Sequence, residues 1–143
     1  MFTFGREHEL KCARADFKSD SDAELMLSVV NTIHDLIEEN INFNEAEVIL
    51  KKGFIEGNRA TWDKTGSWLL KMAKDYPDTE AIWFELAKNP KAEVRFRVAC
   101  HIGDFPKNYN KKIYEVLKED RSKKVITQAN AQWHYFEHPE EYM

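Results

Sequence analysis

NPKAEVRFRVACHIGDF, residues 89–105, decides how the rest of the chain is read. Asn89-Pro90 is a turn signal, because the residue before a proline is pushed out of the helical region while proline itself suits a first turn. Beyond it, Val94, Val98, Ala99 and Ile102 recur at steps dominated by threes and fours, the spacing of a helix with one apolar face. Gly103 follows as a helix-ending residue. Nothing in the stretch is catalytic in kind. A helix this short cannot bury its apolar stripe alone, so something else in the chain has to cover it.

The cover is a second copy of the same pattern. Shifted by 31 residues, Ile82 falls on Ile113, Trp83 on Tyr114, Leu86 on Leu117 and Asn89 on Asp120; Val94 then falls on Val125, Val98 on Ala129 and Ile102 on Trp133. A shift of 32 carries the pattern one unit earlier, less well: Leu50 meets Ile82, Phe54 meets Leu86, Trp62 meets Val94, Gly66 meets Val98 and Leu70 meets Ile102. Self-similarity at this period is the signature of stacked helix pairs, each burying its neighbour's apolar face.

Working outward, helical spacing fills almost the whole chain. A first helix is expected over about 6–17 with Leu10, Ala13 and Phe17 on one side; "SDSD" at 19–22 offers caps for a second, 22–39, whose stripe is Leu25, Val29, Ile33, Leu36 and Ile37. Asn44 with Glu47 has the spacing of a capping box for a third, 44–57, burying Ala46, Ile49, Leu50 and Phe54. A fourth, 60–75, buries Trp62, Leu69, Leu70 and Ala73 and ends before Tyr76-Pro77. Asp78 caps a fifth over 79–88, the quoted stretch is the sixth, Pro106 opens a seventh to 119, and Ser122 caps an eighth to 137. The reading is an all-α single domain over 1–143, with its clearest units at 79–104 and 106–137 and degenerate ones at 6–39 and 44–75.

Residues 86–103, LAKNPKAEVRFRVACHIG, resemble a HEAT repeat. Asn89-Pro90 matches that family's turn, Val94-Arg95 its Val-Arg pair, Ala99 its small residue and Ile102-Gly103 its ending. The next unit, 117–133, keeps Asp120 and Val125 but has Ile126 for the arginine and Asn130 for the small residue. The resemblance implies a right-handed α-solenoid and a structural arginine, Arg95, bonded to neighbouring turns. Such units share shape rather than function.

Composition narrows the class. Apolar residues make up 43% and charged residues 32%, an ordinary globular balance, and nine Phe, five Tyr and four Trp can fill a core. The net charge of −4 argues against a dedicated nucleic-acid binder. Cys12 and Cys100 form no CxxC pair, no signal peptide or membrane span is legible, and a reducing, cytoplasmic setting is expected.

His8, His34, His101, His134 and His138 have no metal spacing, no nucleophile motif or phosphate loop occurs, and neither enzyme nor cofactor is expected. Trp62, Trp83 and Trp133 read as core, whereas Trp68 falls at the edge of the buried face and could anchor a partner. The stripes beside the core, Arg97, His101 and Asp104 on one helix and Gln128, Gln132 and Tyr135 on the last, make a candidate contact surface. Size, acidity and helical architecture resemble helical immunity proteins of contact-dependent growth inhibition. That resemblance implies occlusion of a basic nuclease toxin, with Asp63, Asp104 and Glu137 facing its cleft. The alternatives are a generic scaffold and, from Trp62-Asp63, an alkylpurine DNA glycosylase-type enzyme. Oligomeric state stays open.

Overall fold

The structure, a computed structural model, describes residues 4–15 and 20–142. Among the described residues there are eight α-helices and no strand. Contacts divide the chain into two compact units, Met1–Tyr76 and Pro77–Met143. The division falls at Tyr76-Pro77, where proline interrupts the helical path.

The first unit holds α1 (Arg6–Ala15), α2 (Asp20–Ile37), α3 (Phe43–Glu56) and α4 (Arg59–Met72). α2 packs against all three others, and α3 also packs against α4. Val29, Ile33 and Leu36 of α2, Ala46, Leu50 and Phe54 of α3, and Leu69 and Met72 of α4 are all at 2% exposure or less. Ala13, Met26 and Val30 form a cluster with Leu10 and Leu27 packed against it. Phe17, expected on the α1 stripe, lies outside the described residues. Gly53 is a close-approach point: a Cβ there would lie 2.5 Å from Val29 Cγ2 and 3.0 Å from Thr65 Oγ1.

The third helix starts earlier than its sequence suggested. The N-x-x-E spacing occurs twice, at Asn42/Glu45 and Asn44/Glu47, and the earlier one caps: Asn42 Oδ1 accepts from the Glu45 amide at 2.9 Å. Asn58 does the same for α4 through the Thr61 amide at 3.1 Å. Within α4, Thr61, Thr65, Trp68, Leu69 and Met72 are buried, while Trp62 and Leu70, and Ala73 just past its end, are half-buried. Trp68, at 2% exposure, lies inside the buried face rather than at its edge.

The second unit holds α5 (Thr79–Ala87), α6 (Ala92–Ala99), a 3-10 turn (Ile102–Asp104), α7 (Asn110–Leu117), α8 (Lys123–Glu137) and a final 3-10 turn (Pro139–Tyr142). α5 packs on α6 and α7, and α6 on α7 and α8. The 31-residue register survives as burial. Ile82 and Ile113, Leu86 and Leu117, Val94 and Val125, Val98 and Ala129 are all within 1% of complete burial.

Two boundaries of this unit differ from the sequence reading, each for a local reason. α6 stops at Ala99 because the His101 amide bonds to Val98 O at 3.0 Å, one residue nearer than an α-helix requires, while His101 Nδ1 donates to Arg97 O at 2.8 Å. The side chain thus takes the carbonyl that a continuing helix would use. Gly103 is no left-handed cap, since Glu39 and Gly5 are the only positive-φ residues among those described. α7 starts at Asn110 because Tyr109 leaves helical geometry (φ −138°) to pack its ring near Phe84 and Phe105; Pro106 O still accepts from both the Tyr109 and Asn110 amides. Asp78 and Ser122 occupy cap positions without side-chain cap bonds, and the Ser122 amide donates instead to Asp120 Oδ1 at 2.8 Å.

Arg95 fastens the two turns of this unit. Its Nη1 donates to Asn89 O (2.7 Å) and Pro90 O (3.0 Å), and its Nε and Nη2 grip the Asp120 carboxylate at 2.8 and 3.3 Å. The Arg95 and Asp120 side chains are 5% and 8% exposed. Burial alone would raise the Asp120 carboxyl's pKa, but the Arg95 guanidinium and the Ser122 amide outweigh it and hold the group below its usual range.

Candidate functional site

The surface residues expected to meet a partner separate into those the fold offers and those it encloses. At the junction of α8 with the 3-10 turn of 102–104, a Cβ on Gly103 would sit 3.6 Å from Gln132 Oε1 and 4.0 Å from Tyr135 Cδ1. The missing side chain lets the turn lie directly against α8 and sets Asp104, which is exposed, beside that helix. Gln128, one turn before Gln132, is half-buried and its Nε2 donates to Cys100 Sγ at 3.6 Å. Asp104, Gln128, Gln132 and Tyr135 therefore share one face of the second unit.

Tyr135 is the prominent group of that face, at 50% exposure. Its ring meets Tyr142, itself 55% exposed, at 5.0 Å in an edge arrangement. His134 Nδ1 lies 2.9 Å from the Tyr142 hydroxyl and His134 Nε2 lies 3.3 Å from Glu141. His138 pairs with Glu140 at 3.6 Å. Two open tyrosines with carboxylates around them suit a binding face with an aromatic anchor and a polar rim.

Arg97 and His101 are not on that face. They are 9% and 4% exposed; Arg97 Nη2 bonds Glu93 at 3.1 Å, and the His101 ring lies 5.4 Å from that of Trp83. Both were read as a polar stripe beside the core, but α6 is only eight residues long and α8 covers it, so the stripe is enclosed. Trp68 is likewise enclosed, edge-on to His34 at 6.5 Å, with Lys71 Nζ 4.8 Å from its ring centre. Asp63 is exposed on α4, in the first unit. Glu137 is exposed but stands on the opposite flank of α8 from Tyr135.

A buried polar group in the first unit escaped the sequence reading. Glu9 of α1 (5% exposed) lies 3.8 Å from His34 Nε2 of α2 (3% exposed) and 3.7 Å from Lys64 Nζ of α4. At this depth the group ties three helices together rather than presenting a reactive atom. The signal was there: His34 follows Val30 by four residues, on the buried stripe. Above it, Arg6 binds Asn31, Asp35 and Glu38 at 3.1, 2.7 and 2.9 Å. The hydrogen bond from Arg6 holds the Asp35 carboxyl below its usual pKa.

Among the described residues, no three His, Cys, Asp or Glu side chains are grouped so as to hold a metal ion, and no helix is long and apolar enough to cross a membrane. Comparison with known protein families, with curated proteins and with solved structures finds no match for this chain.

Proposed function

We propose that this chain is a protein-binding domain that acts by occlusion, in its most concrete form an immunity protein that masks the active site of a basic nuclease toxin. The observation that carries the reading is the face at the α8 junction, where Gln132 and the half-exposed Tyr135 lie against Gly103, with Gln128 one turn earlier on α8 and the exposed Asp104 next to Gly103 in the turn. Tyrosine supplies contact area at low entropic cost, and carboxylates steer a cationic partner. The HEAT-like superhelix belongs to the same proposal. It is supported in the second unit by the 31-residue burial register and by Arg95 bridging consecutive turns. A cytoplasmic location follows from the role, since a nuclease would have to be stopped where its substrate is.

The test is protection. Cells expressing the chain are challenged with the nuclease toxin encoded beside it, and binding is measured by calorimetry. Protection and nanomolar affinity are expected, with Tyr135→Ala and Asp104→Lys each weakening binding at least about ten-fold and leaving the melting temperature unchanged. Failure to protect removes the occlusion reading. A shift of duplex DNA at low salt, absent at high salt, would put the DNA-enzyme reading in its place.

A further inference from the structure

The other flank of α8 is built like a contact face, and among the described residues of its unit it is only partly covered, Ile126 and Trp133 staying half-buried. Lys123, Ile126, Asn130, Trp133 and Glu137 follow one another at steps of three and four, so they share one stripe. One repeat earlier the same stripe on the α6 side carries Arg95, Ala99 and Ile102, exposed by only 4%, 0% and 0% because α7 and α8 pack over them. Their counterparts Ile126 and Trp133 are only half-buried, and Asn130 is exposed. Trp133 stacks flat on Tyr114, centroids 4.7 Å apart and planes 5° apart, and the Tyr114 hydroxyl donates to Asn130 Oδ1 at 2.7 Å. The final 3-10 turn lies elsewhere, against His134 and Tyr135. The water-facing side of a helix is ordinarily polar; this flank shows isoleucine and tryptophan.

The occupant is not another pair of the same kind. Such a pair would need the arginine that clips the next turn and the small residue that admits its helix. Isoleucine stands at 126 and asparagine at 130 in their places. The charges point elsewhere. Lys123 begins α8 and Glu137 ends it, the reverse of what a helix dipole favours, and α8 has no acidic residue in its first turn. Both charges stand seven residues from Asn130.

We infer that this flank of α8 pairs with the same flank of a second copy of the chain, the two helices running antiparallel about a two-fold axis at Asn130. That arrangement sets each Lys123 against Glu137 of the second copy, about 21 Å apart along each helix, and places the opposed charges where the antiparallel dipoles welcome them. Ile126 of one copy covers Trp133 of the other. The two Asn130 side chains meet at the axis, where a polar residue in an apolar seam fixes register. The contact is isologous and closes on itself. It uses the flank opposite Tyr135, so it stands or falls independently of the occlusion face.

Sedimentation equilibrium of the full chain, from micromolar to sub-millimolar concentration, tests this. The parent protein should show a concentration-dependent dimer. Glu137→Lys should weaken it about ten-fold, since two favourable pairs become two like-charge contacts. Lys123→Glu combined with Glu137→Lys should restore dimerisation to within a few-fold of the parent. Trp133→Ala should abolish it; because Trp133 also stacks on Tyr114, the helical signal of each variant is checked, and the charge variants, exposed and external to the core, decide. A parent that stays monomeric throughout, or three charge forms of equal strength, would overturn the inference.

Discussion

The two units are both four helices long, yet they keep polar groups in their interiors by different means. In the second, one guanidinium grips a carboxylate two-handedly and two backbone carbonyls besides, all within 3.3 Å, in a unit whose burial follows the 31-residue period. In the first, Glu9 lies 3.8 Å from His34 and 3.7 Å from Lys64, and the ion pairs from Arg6 to Asp35 and Glu38 are half open to water. Tight fork geometry with the remaining donors satisfied is what lets a buried pair repay its desolvation; looser contacts repay less. The second unit has a pinned polar centre inside a regular repeat, and the first a loosely knit one inside an irregular bundle.

Breaking the pinned centre should have the largest effect. Arg95→Ala leaves the Asp120 carboxylate with the Ser122 amide but without its guanidinium, frees the carbonyls of Asn89 and Pro90, and should cost about 3 kcal/mol, read from the denaturant midpoint, with hydrogen exchange accelerated in α5–α8. The same pair predicts an acid signature. Asp120's folded pKa lies below its unfolded value, so its contribution is complete above about pH 4 and fades as the pH falls through the folded value. The stability gap between the parent and Asp120→Asn should therefore close below that range.

In the first unit, Gly53→Ala drives a methyl into Val29, a fully buried β-branched side chain that cannot move aside. The clash should cost about 1–3 kcal/mol, against roughly 1 kcal/mol of gained helix propensity. Glu9→Gln should cost only about 1 kcal/mol, and a loss as large as that of Arg95→Ala would erase the distinction between the units. Smallest at neutral pH is Tyr109→Phe. Burial, with help from Glu80, pushes the Tyr109 phenol up to about 12. A raised folded pKa contributes stability that is present below the unfolded value and lost as pH climbs towards that figure. The parent should weaken between about pH 10 and that value, and the variant should not.

What the sequence disclosed follows the same divide. The repeat positions of the second unit could be read because burial there recurs with a fixed period, and Ile82, Leu86, Val94 and Val98 needed nothing more. Ends of elements were harder: His101's grip on Arg97 O and Tyr109's departure into the aromatic cluster are tertiary events that propensity does not carry. Trp68, Arg97 and His101 show how little a helical wheel says about a helix flanked on several sides, since amphipathic residues next to a stripe are enclosed as readily as exposed. Gln128, Gln132 and Tyr135 were legible as one stripe of α8, but Asp104 was grouped with Arg97 and His101, which are enclosed, and Gly103 was read as a helix end when its part is to let a turn touch α8.

Lysines at the start of α8 and a glutamate at its end have one more consequence. Those charges work against the helix that carries them, so dissolved ions, by weakening that opposition, should firm the last helix of an isolated protomer. Its melting should drift upward, not downward, as salt is added.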